Sequence, residues 1–479
     1  MGPLHWIDGF IIICYFLLLI VISFYKRNKN ETESSYLLSG RTLSLPAFVA
    51  TLVSTWYGGI LGVGEYSYQF GISQWVIFGL PYYLFATLFA IYLAGRIREN
   101  KALTIPEALE NAYSSRTGTV SAVIIFLLVS PAPYILMLGM LFRFFTGSET
   151  HVVLFAVAIA LFSLFYVSIS GFRAVTRTDV LQVVLMYSGF ALLLVMAIQT
   201  AGSPIQIWSQ LSDVHRDPLG GHSIQYLLVW FFIALWTFVD PAFHQRAAAA
   251  KSPATAQKGI FLSIGFWFLF DIFTVMAGLY GFIILGELEQ PMLVYPELGA
   301  YLLPAGLAGL FFLTLLATIM STLDSYLFLS GQTLGRDLIA KYRGREKSVY
   351  FTRWGMFVSV VFGILLIMIY PSVIALWYVI GSVLIPGLLF PVLGVYLPLF
   401  RFHPSFAIWV LVVPCVVSIT WLGLGTITGE SLYNYAYWGW EPFYPGLFAA
   451  VIIWWAGKMW LAGKNNWRGN RTGREKTAR

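Results

Sequence analysis

Charge is scarce in this 479-residue chain, and so are cysteine and histidine. Asp, Glu, Lys and Arg make up 11% of the residues, against about 25% in an ordinary globular protein. A soluble body of this length covers its surface with charge, so a soluble protein is excluded. The two cysteines, Cys14 and Cys415, exclude a disulfide framework and leave no thiol cluster for zinc or an iron–sulfur centre. The six histidines never fall at ligand spacing, so no metal enzyme is expected. No GxxxxGK[ST] loop is present, which removes an ATP-driven pump within the chain. The first residues lack a basic n-region and a small-residue cleavage site, so the apolar run after His5 is expected to be a retained span.

What the chain has in excess is apolar sequence: 58% of residues are hydrophobic and the mean hydropathy is +0.76. Lipid offers backbone groups no partner outside a helix, so apolar stretches of roughly 18 or more residues mark spanning helices. Thirteen are expected, at 6–25, 45–70, 73–95, 118–146, 151–170, 175–200, 223–249, 257–286, 298–339, 349–369, 371–397, 404–425 and 443–462. With the loop after the first helix set inside, the inner loops hold 27 of the 29 Lys and Arg, and only Arg143 and Arg216 fall outside. That asymmetry predicts the N-terminus outside and the C-terminus inside. The basic tail then reads as a topology signal at anionic lipid, and nucleic acid drops out as a partner.

Two helices look interrupted. The second, ATLVSTWYGGILGVGEYSY, carries Gly58, Gly59, Gly62 and Gly64 beside Glu65; each glycine costs about 1 kcal/mol relative to alanine in a helix. The seventh, VWFFIALWTFVDPAFHQR, holds Asp240 and Pro241 inside its apolar run, and that proline deletes a backbone hydrogen bond. Breaks five helices apart suit two inverted five-helix repeats with a central site lined by unwound backbone. In the ninth helix Thr318, Ser321, Thr322 and Ser325 fall at i, i+3, i+4 and i+7, hence on one face, with Asp324 beside them. Singly, such hydroxyls bond the carbonyl one turn back. Together, with carbonyls freed at a helix break, they suit a hard monovalent cation. Intramembrane carboxylates default to function, and by depth they are Glu65, Asp179, Asp240, Asp271 and Asp324. A cytoplasmic ion pair with Arg173 or Arg177 competes for Asp179, a hydrogen bond to a neighbouring helix for Asp271, and His244 is expected to pack.

YLLSGRTLSLPAFVATLVSTWYGG, LTIPEALENAYSSR, SGFRAVTRTDVLQ, DPAFHQRAAAAKS and LLATIMSTLDS, in that order, resemble the sodium:solute symporter family, over about residues 6–400. The family includes sodium-coupled carriers of sugars, proline, pantothenate, sialic acid, choline and iodide. The resemblance implies an all-α polytopic membrane protein with a LeuT-like core. Its parts would be an extra helix and inner loop (1–44), a first repeat (45–200), a second repeat (201–398), and two C-terminal helices with the basic tail (399–479). By motif it implies a sodium site from the Thr55 and Gly58 carbonyls, the Thr318 carbonyl, and the Ser321 and Thr322 hydroxyls. A second ion would use Asp179, Asp324 and Ser325; Asp324 replaces a serine of some two-sodium members, and the stoichiometry stays open. The solute would lie beside the breaks, which nominates Trp56, Tyr57, Gly59, Gly62, Trp236, Thr237 and Phe238, with the carboxylates Glu65 and Asp240 nearby. Where proline carriers have tryptophan and tyrosine before Asp240, this chain has Ile233 and Thr237.

The expected function is secondary transport: sodium-driven symport of a small polar organic solute across the plasma (inner) membrane by alternating access, with no organic cofactor and no enzymatic activity. A proton-coupled carrier, a solute sensor of the same fold and a channel are the alternatives; no signalling domain is expected in the tail from Gly463, and no pore loop repeats. An aromatic-rich site with a carboxylate suits a cationic amine, but 17% aromatics equally suits a belt at the lipid interface. Sugar, neutral amino acid, carboxylate and amine all stay open.

Overall fold

The computed structural model describes residues 4–25, 32–147, 152–428 and 439–477, with side chains described through 463 except at 428. Lys26, Arg27 and Lys29 and the basic side chains of the tail beyond Lys458 lie outside the described residues. Among the described residues thirteen helices are long and apolar enough to cross a membrane: α1 (Trp6–Phe24), α2 (Leu45–Phe70), α3 (Ser73–Glu99), α4 (Ser115–Thr146), α5 (Val152–Ser170), α6 (Phe172–Ala201), α7 (Ile224–Ala249), α8 (Pro253–Leu285), α9 (Leu307–Arg343), α10 (Arg345–Ile369), α11 (Val373–Tyr396), α12 (Pro404–Ile427) and α13 (Phe443–Gly463).

Two expected spans differ from those observed. The run 298–339 is two helices, Val294–Leu302 and α9. Pro304 and Gly306 separate them, and Gly306 sits at φ +89°, where an L side chain is strained. The run 118–146 breaks at Val129–Pro131, since Pro131 has no N–H to continue the ladder of the preceding helix.

Burial orders the bundle. In the most apolar stretch of α2 and of α9, 89% of residues are buried, against 28% in α1 and 17% in α13. So α2 and α9 form the centre and α1 and α13 face lipid. The central α9 packs on α2, α6 and α10, and α12 and α13 pack together on α11 at one flank. Asp8 of α1 fixes the entry of α9: its Oδ1 accepts from the backbone N–H of Gly306 (2.7 Å) and Gly309 (2.9 Å). A buried carboxylate thus satisfies donors that the first turn of α9 cannot pair internally.

Candidate functional site

Both interrupted helices meet at the centre. In α2 the helix Leu45–Trp56 gives way to a tighter turn at Tyr57–Gly59 before resuming at Ile60. Glycine is needed there because partners press on the backbone: a Cβ at Gly58 would stand 2.0 Å from Thr322 Oγ1 of α9, and one at Gly59 would stand 1.9 Å from the Trp377 ring of α11. In α7 the pieces Ile224–Ile233, Trp236–Val239 and Pro241–Ala249 are separated by two breaks. At the second, Asp240 leaves the helical region (φ −68°, ψ 116°) and its Oδ1 accepts from Ala242 N at 2.8 Å. Asp240 is therefore the N-cap of the last segment, with Pro241 in the first-turn position that suits its missing N–H.

The break in α2 faces the hydroxyl stripe of α9. Thr322 Oγ1 donates to the Thr55 carbonyl at 2.7 Å. Ser321 Oγ donates to Asp179 Oδ1 of α6 at 2.6 Å, and Thr51 donates to the other oxygen of that carboxylate. Thr55 Oγ1 and Ser325 Oγ lie 3.1 Å apart. The Thr318 hydroxyl bonds the Thr314 carbonyl one turn back at 2.7 Å, so its own carbonyl is the group left to offer. Thr55, Gly58, Ser321 and Thr322 are thus gathered in one place, with Ser325 and Asp179 alongside. Asp324 accepts from Tyr166 of α5 through one carboxylate oxygen, and its other oxygen is buried without a partner.

A cation already sits among these oxygens. Arg246 is fully buried, and its Nη2 lies 2.8 Å from Thr55 Oγ1, 2.7 Å from Ser325 Oγ, 3.1 Å from Thr51 Oγ1 and 3.8 Å from Asp179 Oδ2. Its guanidinium also lies 5.2 Å from the Phe172 ring centre. Counting Arg246 among inner-loop cations is therefore corrected: it belongs to α7, whose last segment Pro241–Ala249 is buried throughout. The ion pair of Asp179 is likewise with Arg246, from another helix, and not with Arg173 or Arg177. The signal in the sequence is the run of small residues, AAAA, after the arginine, which lets this segment pack too tightly to be a loop.

Beside the oxygen cluster lies a cavity with about 920 Å³ of empty space, counting its open mouth. Of the nominated solute residues, Trp56, Tyr57, Gly59, Trp236 and Asp240 line it, whereas Gly62, Glu65, Thr237 and Phe238 do not. Glu65 stands half-buried on the segment of α2 beyond the break. Asp271 of α8 also lines the cavity and accepts from the Tyr83 hydroxyl. Sequence reading missed Gln74, Tyr82, Tyr134, Tyr326 and Trp377, which reach the cavity from α3, α4, α9 and α11; no motif marks them, because their proximity is made by the fold. His244 packs, as expected, with Nε2 2.9 Å from the Phe238 carbonyl and its ring against Phe89.

A model of the sodium:solute symporter family matches residues 36–401. The high-affinity proline transporter PutP of Bacillus subtilis (strain 168) is 26% identical over 355 residues, covering 69% of this chain and 73% of the relative. A sodium/proline symporter of Staphylococcus aureus (strain JH9) is 26% identical over 373 residues, covering 72% and 70%. Among solved structures, the substrate-bound outward-open state of a Na+-coupled sialic acid symporter superposes with a TM-score of 0.77 at 15% identity, over 95% of this chain and 97% of that one. The closed conformation of Mhp1, a nucleobase-cation-symport-1 family transporter, gives 0.57 at 14% identity, over 91% and 96%. These likenesses show the fold, two inverted five-helix repeats of the LeuT-like kind.

Proposed function

We propose, because this chain belongs to the sodium:solute symporter family and is a sodium-driven symporter of a small organic solute, that its ion binds where the broken α2 meets α9. The ligands in this reading are the Thr55, Gly58 and Thr318 carbonyls with the Ser321 and Thr322 hydroxyls. One observation carries it: Thr322 Oγ1 lies 2.7 Å from the Thr55 carbonyl, and a Cβ at Gly58 would overlap Thr322. Oxygens from two helices then converge beside freed backbone, which is what a dehydrated cation requires. The solute occupies the adjoining cavity, which shares Thr55, Trp56 and Tyr57 with the ion-binding segment, so either guest can bias the packing of α2 against α9 and couple the two.

The chain lies in the plasma (inner) membrane with its N-terminus outside and C-terminus inside, as its Lys and Arg distribution favours. Its repeats run over 45–200 and 201–398, and it carries out no covalent chemistry and uses no organic cofactor. Asp179 is engaged by Arg246, Ser321 and Thr51, which favours one sodium per cycle. One sodium crossing 100 mV supplies about 2.3 kcal/mol, enough to concentrate a solute roughly fifty-fold. The test is uptake into proteoliposomes with an inward sodium gradient, screening labelled proline, sugars, carboxylates and amines, with potassium replacing sodium in the control. Accumulation only with sodium supports the reading; equal accumulation in potassium refutes it.

A further inference from the structure

Resting on the reading that the central cavity is the solute site, we propose that the solute is an organic cation: a quaternary or protonated amine that also carries a hydroxyl or amide group. Of the nineteen residues lining the cavity, ten are aromatic, two are carboxylates and none is Lys, Arg or His. These rings are inside the protein and not in a lipid-facing belt: Tyr57 is 3% exposed and Phe243 1%. Trp56 gathers them, with the Tyr82 ring centre at 4.6 Å and that of Phe243 at 5.9 Å, both edge-to-face. Ring quadrupoles and the carboxylates of Asp240 and Asp271 act in the same sense on a guest. They attract a cation and repel an anion, and the low dielectric of a buried cavity strengthens both effects.

Arg246, a buried cation nearby, does not line the cavity; its Nη2 is held by Thr55, Ser325 and Asp179, and its buried Nε has no partner. A solute carboxylate therefore finds no side-chain cation to pair with. Gln74 supplies the second half of the argument. It is fully buried, lines the cavity, and neither its amide nitrogen nor its amide oxygen has a partner. Leaving such a group unpaired is costly, and a guest group that both donates and accepts, a hydroxyl or an amide, answers both atoms at once. Trp236 Nε1, also without a partner, adds a further donor at the cavity wall.

The experiment is thermal unfolding of the purified full-length protein in sodium chloride and in potassium chloride. It is titrated with (2-hydroxyethyl)trimethylammonium, its uncharged carbon isostere 3,3-dimethylbutan-1-ol, trimethylglycine, L-proline and D-glucose. The ammonium alcohol is expected to stabilise in sodium with a half-saturating concentration at least tenfold below that of the isostere and of trimethylglycine. Asp240→Asn, which retains an N-capping oxygen, is expected to weaken the ammonium at least tenfold while leaving the isostere unchanged. Gln74→Leu, which removes no cap, is expected to weaken the ammonium alcohol but not tetramethylammonium. An isostere that binds as well as the ammonium overturns the proposal, as does trimethylglycine binding as well or better. A sodium-linked shift with proline or glucose and none with the ammonium overturns the cation class while leaving sodium symport standing. The same unfolding temperature in sodium and potassium with every compound overturns the ion-site reading and this proposal with it.

Discussion

Replacing Thr322 by alanine isolates one oxygen of the proposed ion site. The side chain is buried at 1% exposure, and its hydroxyl lies 2.7 Å from the Thr55 carbonyl. Without an ion the alanine loses one neutral hydrogen bond, worth about 1 kcal/mol, and leaves the Thr55 carbonyl at a helix break with one partner fewer. With an ion the loss is larger, because a charged guest in a low-dielectric site forfeits a charge-assisted contact of about 1.5–3 kcal/mol. The difference, about 0.5–2 kcal/mol, corresponds to sodium binding roughly two- to thirtyfold weaker. Thr322→Ser keeps the oxygen and is expected to stay within about threefold of the parent protein, which separates ligation from packing. The assay is sodium titration of solute uptake in proteoliposomes, paired with sodium titration of the unfolding temperature so that binding and turnover are read independently. Solute affinity is expected to fall in parallel, by reciprocal coupling, and to recover at saturating sodium. If Thr322→Ala inserts normally and its sodium half-saturation stays within twofold of the parent in both assays, the ion binds elsewhere.

Ser321→Ala removes a 2.6 Å donor from the buried Asp179 carboxylate, so it is expected to weaken sodium at least tenfold and also to lower the unfolding temperature; an unchanged melt would refute the second part. Gly58→Ala puts a methyl 2.0 Å from Thr322 Oγ1, and is expected to abolish sodium-linked stabilisation while membrane insertion persists, checked by surface labelling alongside the titration. Arg246→Gln leaves Asp179 charged and unpaired in the interior, a loss of about 3–5 kcal/mol in folded stability, read as a large drop in detergent half-life; Arg246→Leu with Asp179→Leu is expected to regain much of that stability but no transport. His215, between α6 and α7, has its Nε2 2.7 Å from the Tyr68 carbonyl and its Nδ1 2.6 Å from Ser212 Oγ. Burial lowers its pKa below the usual 6.5, so its contribution is present above that value and lost as pH falls through the lowered one. Melting curves from pH 7.5 to 5 are expected to fall, and to fall less in His215→Asn.

Much of this architecture was legible because lipid simplifies the code. Apolar runs marked all thirteen spans, and the punctuation at Gly58, Gly59, Asp240 and Pro241 marked both central breaks. Of the hydroxyls spaced along α9, Thr322 and Ser325 meet Thr55 of α2, while Ser321 turns to Asp179 and Thr318 bonds its own helix. Arg246 was illegible for a reason built into charge counting: along a line, a cation at the end of an apolar run reads as the water boundary. Only its partners, from Thr51 to Ser325, reveal it as interior, and they lie 195 and 79 residues away along the chain. Asp324 shows a second limit of reading along one helix. Sharing a helix with the stripe says nothing about which neighbour completes it, and Tyr166 arrives from α5. The cavity wall fared worst, since Gln74, Tyr134 and Trp377 come from three helices with no common pattern.

The buried pair of Arg246 and Asp179 bears on how this carrier lets go. A carboxylate dedicated to an incoming ion would grip it hard, and a tight grip is a slow release. In the proposed site the negative charge is already answered from within the protein, so a visiting ion would meet dipoles, the hydroxyls and carbonyls of α2 and α9. A guest held only by dipoles leaves when those dipoles turn away. On that reading a small parting of α2 from α9 is expected to discharge the ion, with the arginine, tethered by its backbone, left to balance Asp179.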